Sequence, residues 1–263
     1  MRKNSFNFFT VLGLAILSPV LFITSCQKDA VAPKAKAATP AAAPLSFTED
    51  FNDVSGLTGK GWVFKNNSNP IGQSGWRVGR YEANPQPNKK FNASTIGFPA
   101  YNAVNSPNDF VSCDVTCVNT AGDISAWLIT PPMTIKNGDV LTFYTRSQDD
   151  FTVPWPIYTK DRMQVRGNFT DGSSNIGTTA TSLGSFTNLL LDMNPSYIEN
   201  DNGGYPVLDW AKETVTFSGI TGTVTNARVA FRYLGTDAGL TGGTSAANFA
   251  SIIGIDNVVF TSK

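Results

Sequence analysis

The chain has no histidine among its 263 residues, and this absence excludes several kinds of catalytic site. Nucleophilic catalysis by serine or cysteine ordinarily needs a histidine as general base, and zinc sites of ordinary composition include histidine among their ligands. Cysteine is scarce as well, since the chain contains only three. We therefore expect neither a histidine-dependent hydrolase nor a zinc enzyme.

Long helical patterns are also missing. No amphipathic stretch would make a helix of more than about two turns, and the best candidate, Leu189–Leu191, fits a buried strand equally well. Elsewhere apolar and polar residues alternate with a period of two, which indicates strands with one face in a core: Val140–Thr145, Met163–Gly167, Thr214–Phe217 and Val229–Tyr233. Asp171-Gly172 follows one such run and predicts a two-residue hairpin turn before the next run at Asn175. These patterns predict one all-β domain, an antiparallel jelly-roll β-sandwich over residues 46–263.

The first 25 residues have the three parts of a secretory signal peptide. Arg2 and Lys3 form a short positive region, an apolar run follows from Phe8 to Thr24, and small residues then precede Cys26. The run is interrupted by a proline and is shorter than the roughly 20 apolar residues of a membrane-spanning helix, which argues against an uncleaved anchor. The string Ile-Thr-Ser-Cys resembles the lipobox of bacterial lipoproteins, whose cysteine is acylated. We predict cleavage before Cys26 and a lipid anchor on it.

Residues 26–45 form a flexible linker between this lipid anchor and the domain. Alanine and proline dominate the segment, which contains no aromatic residue to start a core, and proline keeps it partly extended. Gln27-Lys28-Asp29 resembles the export tags of Bacteroidetes surface lipoproteins. We therefore predict attachment to the bacterial outer membrane, with the domain on the cell surface.

Charge argues against a nucleic-acid partner. Charged residues make up 15% of the chain. Cleavage removes Arg2 and Lys3 from the 20 basic residues, so that 18 remain against 20 acidic ones, a net charge of −2. This charge provides no attraction to nucleic acid or to anionic lipid. Contact with a membrane is expected through the lipid anchor alone.

Cys113 and Cys117 remain once Cys26 is assigned to lipid. A disulfide is expected between them in an oxidising compartment. Residues four apart on a straight strand have Cα atoms about 13 Å apart, whereas a disulfide needs about 4.4–6.8 Å, so the bridge requires a turn between them. A metal site made of the two thiols is the alternative, but no histidine or further cysteine is left to complete it. We predict the disulfide.

Several strings, taken in order, resemble a known family. They are Phe47-Thr48-Glu49-Asp50-Phe51, Gly61-Trp62, Gly75-Trp76, Trp127-Leu128-Ile129-Thr130-Pro131-Pro132, Asp161–Arg166, Ala230–Tyr233 and Gly254-Ile255-Asp256-Asn257-Val258. Together they resemble the choice-of-anchor J domain, which is close to the cleaved-adhesin domains of Bacteroidetes surface proteins. The resemblance implies a jelly-roll β-sandwich on an anchored extracellular protein and implies no reaction. The segment Cys113–Cys117 and an insertion at residues 149–160 depart from the family pattern.

The resemblance also implies a structural calcium site. Related domains use such a site to hold the first and last strands together, which gives Glu49, Asp50 and Asp256 as ligands here. Calcium takes six to eight oxygen ligands, and carboxylates with backbone carbonyls supply them. Without calcium, Asp256 would cap a turn and Glu49 would be an ordinary exposed side chain.

Three aromatic residues in loops flanked by proline or glycine, Trp155, Tyr158 and Trp210, are candidate ligand-binding residues. Exposed aromatic rings stack on sugars or anchor protein partners, although Trp155 would serve equally as a plug over the edge of the sandwich. Three further tryptophans, Trp62, Trp76 and Trp127, lie in strand-like strings and are expected in the core.

We therefore predict a non-enzymatic surface lipoprotein that presents a binding or adhesion module for glycan or protein ligands. One alternative is a carbohydrate-active enzyme that uses two carboxylates, for which Asp149-Asp150 is the most suggestive pair. The other is a structural protein of the envelope without a soluble ligand.

Overall fold

The computed structural model describes residues 46–81, 97–148, 159–238 and 250–263. Within these ranges the chain forms thirteen β-strands and two short 3-10 helices, Val115–Cys117 and Asn200–Asn202. None of the helices in the described ranges is long and apolar enough to cross a membrane. The all-β class predicted from the sequence is confirmed.

Two antiparallel sheets pack face to face as a jelly-roll β-sandwich. Sheet A contains β1 (Phe47–Glu49), β4 (Arg77–Val78), β5 (Val111–Asp114), β8 (Val140–Ser147), β11 (Ala211–Thr216) and β13 (Ile252–Thr261). Sheet B contains β2 (Val63–Asn66), β3 (Asn69–Ile71), β6 (Val118–Ile129), β7 (Met133–Lys136), β9 (Met163–Asn168), β10 (Asn188–Met193) and β12 (Thr223–Ala238). The strand order is β11-β8-β13-β5-β4 in sheet A, where β1 also pairs with β13. In sheet B it is β10-β9-β12-β6-β2, where β3 also pairs with β6 and β7 with β12.

Side chains alternate between the core and the outer faces, because successive residues of a strand point to opposite sides of the sheet. On β8, Leu141 and Phe143 lie in the core, and on β12 Phe231 and Tyr233 do the same. Trp62 and Trp76 belong to this core as predicted. Leu189–Leu191 lies within β10, so it is a strand and not a helix, but the strand is not buried there, since Leu189 is 51% exposed.

The connection between β9 and β10 corrects the sequence prediction. Asp171-Gly172 does turn the chain, with Gly172 at φ 65°, but no short hairpin follows it. The chain instead runs over the outer face of sheet B as residues 169–187, which we call the strap, before β10 begins at Asn188. Cationic side chains of the sheet hold the strap: the Arg228 guanidinium donates to the Gly172 carbonyl at 2.8 Å.

A second, smaller core explains why the strap lies on the sheet. Trp127 on the outer face of sheet B is completely buried, and its ring packs against Phe186 of the strap, with centroids 5.7 Å apart. An uncovered indole would leave a large apolar surface in water. Trp127 is therefore a packing residue, as predicted, and both faces of sheet B are covered around it.

The first and last strands lie side by side, as the sequence analysis expected. β1 pairs antiparallel with β13, with Phe47 opposite Phe260. The Ser262 amide donates to Ser46 Oγ at 3.0 Å, so the chain enters the domain beside its own C-terminus. β8 runs from this end, where Val140 lies opposite Thr261, towards the other end, where Ser147 lies opposite Ile253.

Candidate functional site

Asp256 anchors a loop onto the outer face of sheet A. A bulge in β13 follows this residue, and Asn257 has a positive φ of 49°. The Asp256 carboxylate is completely buried and accepts backbone N–H bonds from Tyr101 at 2.9 Å, Asn102 at 3.3 Å and Asn257 at 2.7 Å. Burial raises the pKa of Asp256 to about 7, against the opposing effect of these three donors, and the nearby charge of Asp50 raises it further. Asp256 therefore fixes the position of Tyr101.

The three predicted calcium ligands have different surroundings in the structure. Asp50 lies close enough to Asp256 for its charge to act on it. Glu49 instead forms an ion pair with the Lys60 ammonium, at 3.1 and 3.0 Å from its two carboxylate oxygens, and accepts from the Phe51 amide. Among the described residues no three acidic or cysteine side chains form a group that would hold a metal ion.

One oxygen near this junction has no partner. Asn52 donates through Nδ2 to Asp50 Oδ2 at 2.7 Å, whereas Asn52 Oδ1 is shielded from solvent and accepts no hydrogen bond. A buried amide oxygen without a donor costs free energy, so such an atom is a fitting ligand for a cation. Asn52 Oδ1, next to Asp50, is therefore an oxygen that a cation could satisfy, whereas Glu49 is already paired with Lys60.

Trp210 belongs to a cluster of aromatic rings on the outer face of sheet A. Its ring packs edge-on against Phe98 and Phe110, with centroids 5.4 Å away in both cases, and Nε1 donates to the Pro99 carbonyl at 3.0 Å. Gly254 of β13 makes room for these rings, since a Cβ there would lie 2.7 Å from Phe98 and 2.8 Å from Trp210. Trp210 is therefore half-buried, with part of its ring at the surface.

Tyr101 extends this cluster to the surface and was not identified from the sequence. Its ring stacks on Tyr144 with centroids 3.6 Å apart and planes 16° apart, and the residue remains 42% exposed. Tyr144 is an outward position of β8, which the period-two pattern had indicated, but nothing in the sequence places Tyr101 over it. We call Tyr101, Tyr144 and Trp210 the aromatic surface.

Other predicted residues lie outside the described ranges. These are the lipidation residue Cys26 and two ligand-binding candidates, Trp155 and Tyr158. Gln148, which precedes the segment with Trp155 and Tyr158, follows β8 at the end of the sandwich away from Ser46.

The segment from Cys113 to Cys117 forms the turn that a disulfide requires. Val115–Cys117 is a 3-10 helix capped by Asp114, whose side chain accepts from the Thr116 amide. Both cysteines are buried and are free thiols in the structure, so the predicted disulfide is not formed there. Burial, and then a hydrogen bond with Cys117, raise the pKa of the Cys113 thiol well above its ordinary value.

Asp161 forms the centre of a buried polar cluster where β8, β9, β12 and β13 meet. Its completely buried carboxylate accepts from Ser147 Oγ at 2.6 Å, from Asn200 Nδ2 at 2.8 Å and from the Ser251 amide at 2.8 Å. The Tyr233 hydroxyl and Ser251 Oγ also donate to it. Every one of these contacts comes from a donor, and no solvent reaches the carboxylate, so Asp161 joins strands and does not act on a substrate.

No family model matches the chain, and no curated protein matches it. Among solved structures, the K1 cleaved adhesin domain of Lys-gingipain from Porphyromonas gingivalis W83 is 19% identical, with 84% of this chain and 99% of that chain covered and a TM-score of 0.45. The K2 cleaved adhesin domain of Lys-gingipain is 17% identical, with coverages of 83% and 98% and a TM-score of 0.46. TmCBM61 in complex with β-1,4-galactotriose is 10% identical, with coverages of 82% and 99% and a TM-score of 0.35. These likenesses are too distant to assign a function to the chain.

Proposed function

We propose that this chain is a non-enzymatic surface lipoprotein whose β-sandwich binds glycan, with the aromatic surface as its contact area. The observation that carries the proposal is the exposed Tyr101 ring stacked on Tyr144, in the same loop whose Pro99 carbonyl accepts from the half-buried Trp210. Rigid aromatic rings offer large apolar faces at a small entropic cost, and their hydroxyl and indole groups provide polar contacts. Sugar rings have apolar C–H faces that fit the rings and polar hydroxyl groups that fit the hydrogen-bonding groups.

The rigidity of this surface supports a binding role. Asp256 holds the backbone of Tyr101, Tyr144 lies within β8, and Trp210 directly precedes β11. Side chains on such supports are already placed for contact before a ligand arrives, so that less free energy is lost in ordering them.

The carboxylates argue against the enzymatic alternative. Among the described residues, Asp256 and Asp50 come closest to the pattern of a catalytic pair, because the pKa of Asp256 is raised and the charge of Asp50 acts on it. However, Asp256 is completely buried and both of its oxygens accept backbone N–H bonds. A general acid has to reach the bond that it protonates. We therefore assign Asp256 to structure; the pair Asp149-Asp150 lies outside the described residues.

The lipid anchor on Cys26 and the outer-membrane surface location remain part of this proposal. Both rest on the signal peptide, the lipobox and the linker of residues 26–45. The chain enters the domain at Ser46, whereas Trp210 precedes Ala211, which pairs with Thr145 towards the far end of β8. A chain tethered through Ser46 would therefore leave the aromatic surface accessible to ligands in the medium.

A structural calcium ion is also proposed, at Asp50 and Asp256 with Asn52 Oδ1 as a further oxygen ligand. Calcium would neutralise two carboxylates that lie close together and would supply the unpartnered amide oxygen with a cation. Because Asp256 also holds Tyr101, the ion would stabilise the support of the aromatic surface.

Glycan-array binding by the purified full-length protein tests the binding role. We expect binding to neutral glycans, weakened at least about tenfold by Tyr101→Ala, since a central aromatic contact contributes more than about 1.4 kcal/mol. Leu189→Ala is the matched control, because Leu189 is 51% exposed and lies on β10 of sheet B, whereas the aromatic surface lies on sheet A. A blank array, or equal binding by both variants, would contradict the proposal.

A further inference from the structure

We propose a second binding site, for the end of a short uncharged glycan, in the cleft at the edge of the sandwich between β2 and β4. The proposal deepens the proposed function, because it names a second place at which the same class of ligand would bind. The aromatic surface plays no part in this cleft, which lies at the opposite edge of sheet A from β11.

The cleft is formed where both sheets end. β4 is the last strand of the sheet A order and β2 is the last strand of the sheet B order, and the loop after β1 closes the space between them. The cavity has a volume of about 500 Å³ and is lined by Asn52, Asp53, Val54, Ser55, Phe64, Trp76, Arg77 and Val78. This volume falls within the range of small-molecule sites, roughly 300–1,000 Å³.

Two aromatic residues give the cleft an apolar wall. Phe64 is half-buried on β2, and Trp76 is nearly buried, with its Nε1 donating to the Ala126 carbonyl at 3.1 Å. The indole is therefore already satisfied and fixed as the floor of the cleft, and the half-buried Phe64 ring provides most of the aromatic surface that a ligand could reach. Val54 and the half-exposed Val78 continue this surface towards solvent. The C–H face of a sugar ring fits such a wall.

Asp53 gives the mouth of the cleft a hydrogen-bond acceptor. Its Oδ1 accepts from Ser55 Oγ at 2.6 Å and from the Gly56 amide at 3.0 Å, whereas Oδ2 accepts no hydrogen bond from the described residues. The hydrogen bond from Ser55 and that from Gly56 lower the pKa of Asp53, so the group is an ionised acceptor at neutral pH. Neighbouring hydroxyls of a sugar are donors of the kind that a carboxylate binds strongly.

The charges of the cleft favour a neutral ligand. Asp53 and Arg77 both line it, and Arg77 is already paired with the completely buried Asp114. An anionic sugar would be repelled by the ionised Asp53, and Arg77 offers it little compensation because its charge is already balanced by Asp114. An uncharged polyol satisfies the acceptor and the apolar wall without adding a charge.

The test uses ¹⁹F NMR of the full-length protein labelled with 5-fluorotryptophan, because Trp76 reports on the cleft and Trp210 on the aromatic surface. The probes are maltotriose, cellotriose, mannotriose and galactotriose up to about 10 mM, a range that detects a Kd near 1 mM. We expect at least one of them to shift the Trp76 signal. Glucuronic acid is the charged comparison probe and should leave that signal unchanged, because Asp53 repels its carboxylate.

Two pairs of variants locate the effect. Ser55→Phe should abolish the Trp76 shift by filling the mouth of the cleft, whereas Thr181→Phe, at an exposed strap position, should retain it. Asp53→Asn should weaken binding at least about tenfold, since a hydrogen bond to a charged group is lost. Asp171→Asn is its control, because Asp171 is likewise exposed and holds its own turn.

Three results would overturn the inference: a Trp76 signal that no trisaccharide moves, a shift that survives Ser55→Phe, and a shift caused only by a charged probe. A Trp210 shift without a Trp76 shift would reject the cleft and leave the proposed function standing. A Trp76 shift without one at Trp210 would support the cleft and count against the aromatic surface.

Discussion

Replacing Asp161 by alanine should remove the centre of the buried polar cluster and strongly destabilise the domain. The carboxylate accepts from five donors: the hydroxyls of Ser147, Tyr233 and Ser251, the Ser251 amide and Asn200 Nδ2. These donors come from strands of both sheets and from the loops beside them. Their alignment therefore depends on a single acceptor.

The size of this destabilisation depends on which of the five donors can form a hydrogen bond with another acceptor. Ser147 Oγ already lies 2.9 Å from Ser251 Oγ, and Asn200 Nδ2 lies 2.9 Å from Thr159 Oγ1, so these groups keep a hydrogen bond. The Ser251 amide and the Tyr233 hydroxyl have no second acceptor among the described hydrogen bonds. Each buried group left without a partner costs about 1–3 kcal/mol. With the small cavity added, we expect Asp161→Ala to lower the free energy of unfolding by about 4 kcal/mol.

Asp161→Asn separates the loss of charge from the loss of the acceptor. The amide oxygen can still accept from Ser251 and Tyr233, while the amide nitrogen faces hydroxyls that rotate to accept from it. Asp161→Asn should therefore lower the free energy of unfolding by about half as much as Asp161→Ala, on the order of 2 kcal/mol. Urea-induced unfolding of the full-length protein, with the free energy extrapolated to water, measures both variants.

Asp171→Ala is the control for this series. Asp171 also accepts several hydrogen bonds, among them one from the Ser173 amide at 2.9 Å, but it is exposed on the strap, so its loss should cost less than about 1 kcal/mol. The reasoning is refuted if Asp161→Ala costs no more than the control, or if asparagine and alanine are equally destabilising at position 161.

Three further predictions concern other parts of the domain. Gly254→Ala should cost about 1–3 kcal/mol in urea unfolding because its Cβ would lie within 3.0 Å of three aromatic rings, whereas Gly75→Ala, with no neighbour nearer than 3.8 Å, should be nearly neutral. Saturating calcium at about 100 times its Kd should stabilise the domain by about 2.7 kcal/mol and raise the melting temperature by roughly 5–10 °C, an effect that chelator or Asp256→Ala removes; coincident melting curves would contradict the ion. Protein isolated from an oxidising compartment should protect Cys113 and Cys117 from iodoacetamide under denaturing conditions until a reductant is added, and alkylation of both without reductant would contradict the disulfide.

The sequence alone was sufficient for the fold class and for the main strands. Apolar residues that repeat every second position have to face one side of a sheet, so the run Val140–Thr145 specified β8 before any contact was known. Pairing between the first and last strands of the domain was also expected, and β1 does lie beside β13. Local alternation determines such elements because burial of one face dominates their free energy.

Local patterns were misleading where the partner of a segment was distant in sequence. Asp171-Gly172 has the composition of a hairpin turn, but sheet B carries Trp127 and several arginines on its outer face, and a longer segment was needed to cover them. Glu49 and Asp256 were predicted to share one calcium site, yet Glu49 forms an ion pair with Lys60. Neither outcome follows from neighbours along the chain.

What the sequence by itself determined is therefore a β-sandwich with polar, glycine-rich connections. Only the tertiary structure decided which side chains meet: Tyr101 on Tyr144, the donors around Asp161, and the cleft between β2 and β4. The physical reason is that the alternating pattern of a strand reflects burial of one face, and each residue contributes to that burial by itself. A binding surface depends on distances between residues far apart in the chain, and packing of the whole domain sets those distances.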